Sequence, residues 1–222
     1  MKFIAHRGFK KKDQENTIKA FTNAINDKYF AGFELDIRES KDKKIVVIHD
    51  SFIDRVTNKS GLVKNKTSKE LKKYNIPLLE DVLKLKTNKL ILIEIKNFDM
   101  NLDNLVKIIN KYKNKKIYIM SFSKNVIKKL RKYNLKCKLG YLNFVLNSDN
   151  DDQYDFIVLY KNILNDSIIS RFKEKNIKVF VWGLNDNLNS VKSLENKNDL
   201  YLIVNNKLWY TFTYSRWEYE KE

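Results

Sequence analysis

Cysteine occurs once in this chain, proline once, histidine twice and glycine five times. Each scarcity excludes something. A lone Cys137 leaves no disulfide framework and no thiolate metal centre. With so little proline and glycine no linker divides the sequence, and a single domain over residues 1–222 is expected. No run approaches the roughly 20 apolar residues that span a bilayer. Met1-Lys2-Phe3-Ile4-Ala5 leads straight into an apolar strand and not into a leader peptide, so a cytoplasmic location is the expectation.

Positive charge, by contrast, is abundant. Forty-four lysines and arginines against 27 acids give a formal net charge of +17. The lysines are spread along the whole chain among many asparagines, which reads as a compositional bias and not as a patch. Such a field attracts phosphate-bearing ligands and binds nucleic acid non-specifically at low salt, so no specific nucleic-acid partner is expected. A hydrophobic fraction of 43% with 13% aromatics describes a globular chain with a sizeable core.

Apolar strand-like runs alternate with helical segments almost to the end. Runs led by Phe3, Phe33, Leu90, Ile117, Cys137, Phe156, Val179 and Leu200 read as eight strands. Between them Asn16–Asp27, Leu102–Tyr112, Asn125–Tyr133, Ser167–Lys175 and Leu188–Leu194 show helical spacing, and Pro77 is placed to open a helix through Leu83. Eight strands with crossovers predict a compact parallel (β/α)8 TIM barrel. Ile45–Ile48 follows Ile37 too closely for a crossover. It should fold back antiparallel as an extra hairpin strand, bringing His49 close to Asp36, opposite it to within a residue or two. The acidic stretch Asn147–Asp155 reads as a solvated loop, and the aromatic tail 209–222 as a helix capping the bottom of the barrel.

Within this frame the chemistry gathers at the strand ends. Glu34 and Asp36 are two residues apart on a strand and therefore share one face, where their repulsion calls for a cation between them. Glu94 and Lys96 share a face of the next barrel strand. The first strand ends in His6-Arg7-Gly8, the hairpin returns His49-Asp50, and the seventh strand ends at Trp182. In a TIM barrel these ends form the active site. Both histidines of the chain fall in the set, and imidazole can take or give a proton at neutral pH. Three carboxylates without cysteine describe a hard-cation site for Mg²⁺ or Ca²⁺. Arg7 and Lys96 add the positive charge that holds a phosphate. The composite predicts phosphoester cleavage, with His6 and His49 in acid–base roles that the sequence does not divide between them.

Several of these residues stand in motifs. They are His6-Arg7-Gly8, Glu15-Asn16-Thr17, Gly32-Phe33-Glu34-Leu35-Asp36, Val46-Val47-Ile48-His49-Asp50, Arg55-Val56-Thr57 with Gly61, Ile76-Pro77-Leu78-Leu79-Glu80-Asp81-Val82-Leu83 and Ile93-Glu94-Ile95-Lys96. In this order they resemble the glycerophosphodiester phosphodiesterase family. The match is dense over residues 3–96 and thins to Ser121-Phe122 and Val181-Trp182 with Asn185 beyond. The resemblance implies a (β/α)8 barrel in which Glu34, Asp36 and Glu94 bind a divalent metal and His6 and His49 form the acid–base pair. It further implies that Arg7 and Lys96 contact the phosphate of a small glycerophosphodiester, cleaved to sn-glycerol 3-phosphate and an alcohol. Trp182 is counted with the substrate contacts. Asn205 stands where the family usually has a carboxylate, and the expected effect is on barrel structure or substrate fit, not on the metal. Two other readings stay open. One is a phospholipase-D-like enzyme acting on lysophospholipids or sphingomyelin, which an apolar rim at the site mouth would favour. The other is a basic barrel that binds without catalysing.

Overall fold

The computed structural model describes residues 1–10, 14–144, 153–184, 191–194, 197 and 199–207. Residues 147–152 of the acidic stretch, 188–190 of the last expected helix, Asn185 and the aromatic tail 209–222 lie outside them.

Nine strands form one sheet: β1 (Lys2–Ala5), β2 (Phe30–Glu39), β3 (Ile45–Val47), β4 (Leu90–Ile95), β5 (Ile117–Ser121), β6 (Lys138–Asn143), β7 (Phe156–Tyr160), β8 (Lys178–Trp182) and β9 (Leu200–Val204). All except β3 are parallel, hydrogen-bonded in the order β1-β9-β8-β7-β6-β5-β4-β2, and β1 pairs with β2 to close the ring. The intervening helices are α1 (Ile18–Asn26), α2 (Ser68–Lys72), α3 (Leu79–Leu83), α4 (Leu102–Lys111), α5 (Lys124–Leu130) and α6 (Asp166–Glu174). This is the expected (β/α)8 barrel with one strand outside the ring.

Two-residue alternation explains why the strands are almost continuously apolar. A closed parallel sheet is covered on both faces, so both rows of side chains must be buried. On β4, Ile91, Ile93 and Ile95 join the core between sheet and helices, while Leu90 and Leu92 fill the barrel interior. Glu94 continues that inward row at its upper end. On β2 the outward row is Phe33, Leu35 and Ile37, which leaves Glu34 and Asp36 facing inward. Helix α1 covers the outer face with Ala20, Phe21 and Ala24, the Phe21 ring lying 5.1 Å from Phe33. Its cap is Thr17, whose hydroxyl accepts from Ala20 N–H.

Two local expectations need correction and one is sharpened. The β2–β3 register pairs Ile37 with Val47, and Ile48 N–H donates to the Asp36 carbonyl at 2.9 Å, so Ile48 lies directly opposite Asp36 and His49 one residue further on, within the expected margin. A one-residue difference arises because the return from Glu39 to Ile45 is set by local turn bonds, Ser40 N–H to Lys44 O at 2.9 Å among them. Pro77 lies outside the first turn of α3, which is capped from Leu78; its carbonyl instead accepts from Val47 N–H at 2.8 Å, tying the helix entry to the hairpin. The described end of the acidic stretch is not a free loop. Tyr154 is buried and stacked on Tyr141, and Asp155 accepts from Leu139 N–H at 2.8 Å.

The short excursion between β3 and α3 has its own small core of Val46, Ile48, Ile53, Val63, Leu71 and Ile76. It packs against the hairpin and holds the segment that follows His49.

At Gly32 the strands β2 and β4 come close enough that a side chain has no room. A Cβ there would lie 2.3 Å from the Leu90 carbonyl oxygen, a backbone atom that cannot rotate away. Gly32→Ala should therefore lower the unfolding free energy by about 2 kcal/mol. Urea denaturation followed by circular dichroism reads this directly.

Candidate active site

The acidic core of the mouth is built by strand register. Asp36 on β2 pairs with Glu94 on β4, and Glu34 sits one inward step below Asp36. One oxygen from each of Glu34, Asp36 and Glu94 lies within 4.8 Å of the others, and all three residues are buried. Three adjacent carboxylates out of water demand compensation. Arg7 N–H donates to Glu34 Oε2 at 2.9 Å, and Arg7 Nε is 3.3 Å from Asp36 Oδ2. Lys96 Nζ lies 2.7 Å from Glu94 Oε1 and 3.8 Å from Asp36 Oδ1. Asn16 donates to Asp36 Oδ2 at 2.9 Å and accepts from Asp36 N–H at 3.3 Å.

Even so, Glu34 Oε1 and Asp36 Oδ1 are buried without a hydrogen-bond partner. Burial, then the charges of Asp36 and Glu94, holds Glu34 well above the usual carboxylate range. Burial and Asp36 push Glu94 up to about 7 against the pull of Lys96. The donor set is all carboxylate, and its two orphaned oxygens are what a hard divalent cation would satisfy. The residues present fit such an ion.

A tight turn sets the first histidine. Arg7 (φ 56°) and Gly8 (φ 78°) are both left-handed, and a Cβ on Gly8 would meet the Ala20 backbone at 2.8 Å. The turn aims Arg7 N–H at Glu34 and leaves His6 at the top of the inward row of β1. His6 Nδ1 lies 2.7 Å from Asn205 Oδ1 and Nε2 lies 3.9 Å from Glu34 Oε2. Burial first, and then Arg7, lowers the His6 pKa to about 4. His49 arrives from the hairpin, its carbonyl held by Arg38 Nε at 2.8 Å and its Nδ1 lying 2.6 Å from Asp50 Oδ1. Its pKa is lowered by burial, against Asp36 and Asp50.

An ionic chain then runs back from His49 to the acidic core. Asp50 Oδ2 accepts from Arg55 Nε at 2.6 Å, and Arg55 Nη2 donates to Glu15 Oε1 at 2.5 Å. That same oxygen accepts from Arg7 Nη1 at 2.8 Å, and Arg7 faces Asp36. Burial opposes ionisation of Glu15 and Asp50, but the arginines outweigh it and hold each near 2.

The other half of the mouth is apolar. A cavity of about 520 Å³ is lined on one side by His6, Arg7, Glu34, His49, Glu94 and Lys96, and on the other by Phe122, Phe144, Tyr160 and Trp182. Phe144 stacks on Phe122 at 5.1 Å and meets Trp182 edge-on at 4.7 Å, while Tyr160 lies 5.0 Å from Trp182. Phe144 is 52% exposed and forms the rim. The indole N–H of Trp182 is buried without a partner.

All eight residues singled out from the sequence therefore meet at one end of the barrel, with Trp182 in the aromatic half. Asn205 has a more specific place than substrate fit, because it is the partner of the His6 ring. Sequence reasoning gave no role to Asn16, Glu15, Arg38 or Arg55. Asn16 carried a signal in its type: its backbone is left-handed (φ 57°), a conformation asparagine tolerates. The partners of Arg38 and Arg55 are set by the packing of the excursion and left no mark in spacing.

Fold and site together define an enzyme built on a TIM barrel, with its polar groups at the C-terminal mouth. A model of the glycerophosphoryl diester phosphodiesterase family matches residues 6–203, and the chain belongs to that family. A glycerophosphodiester phosphodiesterase of Caldanaerobacter subterraneus subsp. tengcongensis is 32% identical over 208 residues, covering 81% of this chain and 84% of that protein. One from Bacillus altitudinis is 43% identical over 112 residues, and there the chain spans 45% of the relative's length. A solved glycerophosphodiester phosphodiesterase of Thermotoga maritima superposes with a TM-score of 0.75 at 28% identity, over 90% of this chain and 93% of that one. An Oleispira antarctica phosphodiesterase in complex with the product sn-glycerol-3-phosphate shares the fold, with a TM-score of 0.78 at 18% identity over 91% and 92%.

The Glu15–Arg55–Asp50 chain predicts a pH signature. Depressed carboxylate pKa values stabilise the fold above the ordinary range and lose that contribution as pH falls from about 4.5 to about 2. The stability difference between the wild type and Arg55→Gln should be largest above pH 4.5 and shrink toward zero as pH approaches 2. Urea titrations at a series of pH values measure it.

Proposed function

We propose that this protein hydrolyses glycerophosphodiesters such as glycerophosphocholine to sn-glycerol 3-phosphate and an alcohol, with Mg²⁺ or Ca²⁺ as cofactor. The carrying observation is that both histidines of the chain meet the buried Glu34–Asp36–Glu94 cluster in one cavity. Membership of the family supports the substrate class.

Arg7 and Lys96 flank the cluster and hold the phosphate oxygens, Lys96 through its compact ammonium and Arg7 through its fork. Glu34, Asp36 and Glu94 would hold the cation, which supplies charge neutralisation at the phosphate and acidifies an oxygen bound beside it. The two histidines differ in their partners, and the partners divide the work. A carboxylate, Asp50, accepts the Nδ1–H of His49 and stabilises its imidazolium, so His49 delivers the Nε2 proton to the leaving alcohol. A neutral amide, Asn205, accepts the Nδ1–H of His6 and leaves Nε2 with its lone pair to take the proton of the attacking oxygen. The donor N–H of Trp182 offers a hydrogen bond to a substrate oxygen, and the aromatic half receives the alcohol.

One observation favours the second reading, a phospholipase-D-like action on lysophospholipids: the aromatic rim with Phe144 half out in solvent. An acyl chain would lie across that exposed ring, outside the part of the aromatic half that a short alcohol reaches. Phe144→Ala should leave turnover of glycerophosphocholine within about twofold, and lower kcat/KM for lysophosphatidylcholine by about tenfold if lysolipids are substrates.

The main reading is tested by glycerol phosphate release from glycerophosphocholine, which EDTA should abolish and Mg²⁺ or Ca²⁺ restore. Activity indifferent to EDTA would sink it. The division of labour is tested separately with leaving groups. His49→Ala should lose about 10²–10⁴-fold with choline as leaving group but much less with p-nitrophenolate, which needs no proton. His6→Ala should lose similarly with both. Equal losses for His49→Ala on the two substrates would overturn the assignment.

A further inference from the structure

A second concave site lies at the opposite end of the barrel, where the strands begin. Strand β8 connects the two, starting at Lys178 below and ending at Trp182 in the mouth, about 13 Å along an extended chain. The lower cavity measures about 650 Å³ and is lined by Lys2, Lys115, Lys116, Lys136, Lys138 and Lys178, with no aspartate or glutamate among its described residues. From this geometry we infer that it binds a compact polyphosphate anion: a chain of two or more phosphates, inorganic or carried on a nucleoside.

Lysines at this end of a TIM barrel have an ordinary explanation, because the helices end there and their carbonyls attract cations. Lys115 fits it, with Nζ on the Leu85 carbonyl at 2.8 Å, as does Lys89, outside the cavity, on Ala24 O at 2.9 Å. Lys138 is also accounted for, 3.6 Å from Asp155, a carboxylate shared with Arg131. Lys2, Lys116, Lys136 and Lys178 pair with no carboxylate or carbonyl among the described residues. Like charges gathered in one concavity repel, and a multiply charged anion is the ligand that converts this repulsion into attraction.

Two of these ammonium groups are also held in place. Lys178 Nζ donates to Tyr118 OH at 2.9 Å and lies 5.5 Å from the Tyr118 ring centre, and Lys2 Nζ lies 5.4 Å from that of Tyr201. Both tyrosines belong to a packed aromatic floor. Tyr118 is 5.1 Å from Phe156, and Tyr201 stacks on Phe180 at 4.5 Å. Both side chains are exposed, but an ammonium already resting against a hydroxyl or a ring face loses less freedom when an anion arrives than one with no contact. A concavity of this size takes a compact anion, whereas a strand of nucleic acid or a lipid surface needs an extended face.

The test uses sodium triphosphate as probe, titrated calorimetrically into the full chain at about 0.15 M salt with free divalent metal held constant. Saturable one-to-one binding is expected. Lys116→Gln/Lys178→Gln should weaken it by about tenfold or more while glycerophosphodiester hydrolysis stays within about twofold. Lys2→Gln, on an exposed side chain, should weaken it without touching the Tyr118 contact. Lys128→Gln/Lys129→Gln on α5 should not change it, and Lys96→Gln in the mouth should leave it intact. ATP binding tighter than triphosphate identifies a nucleoside source, and weaker binding an inorganic one. Loss in Lys96→Gln with retention in Lys116→Gln/Lys178→Gln would place the anion in the upper site and overturn the inference. So would no saturable binding, an equal loss in the α5 control, or displacement of triphosphate by single-stranded RNA or anionic vesicles with the same lysine dependence.

Discussion

A strand in a closed barrel has two rows of side chains, and both must leave water. Everything in this structure follows from that constraint. The outward rows meet helices and stay apolar throughout. The inward rows are apolar only in the middle, where Leu92, Phe156, Val158 and Phe180 fill the interior. Toward either end the same rows change chemistry. Above, they yield His6, Glu94, Tyr160, Trp182 and Asn205; below, Lys178, Tyr118 and Tyr201. A single alternation therefore builds an apolar plug with a charged site at each end.

The upper site shows how buried charge is kept tolerable. Three carboxylates in contact would not remain ionised in a dry interior, and the raised pKa values of Glu34 and Glu94 express that conflict. The chain relieves it in part with Arg7, Lys96 and Asn16, and stops short of full satisfaction. The remaining deficit distinguishes the cluster from a closed salt-bridge core, and it is one that a divalent cation fits. The positive groups it uses, Arg7 and Lys96, are of the kind that hold a phosphate, so under the proposed function neutralising the cluster and holding the substrate draw on the same two side chains.

The two histidines illustrate a second economy. They are chemically identical, follow two strands, β1 and β3, that both pair with β2, and differ in what lies at Nδ1: Asn205 for His6 and Asp50 for His49. Asp50 is anchored by Arg55, which is anchored by Glu15, which also holds Arg7. The excursion after β3 thus does more than cover the hairpin. Its small core packs Ile53 and Val56, the neighbours of Arg55 in the chain, and Arg55 joins Asp50, the partner of His49, to Glu15 and so to Arg7 beside the acidic cluster.

By itself the sequence determined the barrel, the inward placement of Glu34, Asp36 and Glu94, and the gathering of His6, Arg7, His49, Lys96 and Trp182 at one end. These depend on two-residue periodicity and on chain direction, both of which are local and legible in spacing. Only the tertiary structure decided that Ile48 faces Asp36, that Asn205 holds His6, that Arg55 bridges Asp50 and Glu15, and that lysines from β1, β6 and β8 and the segment before β5 share one cavity. The first is a matter of strand register fixed by backbone hydrogen bonds, and the others join residues distant in the chain through their side chains. Which partner is reached depends on turn geometry and packing, and spacing along the chain carries no record of either.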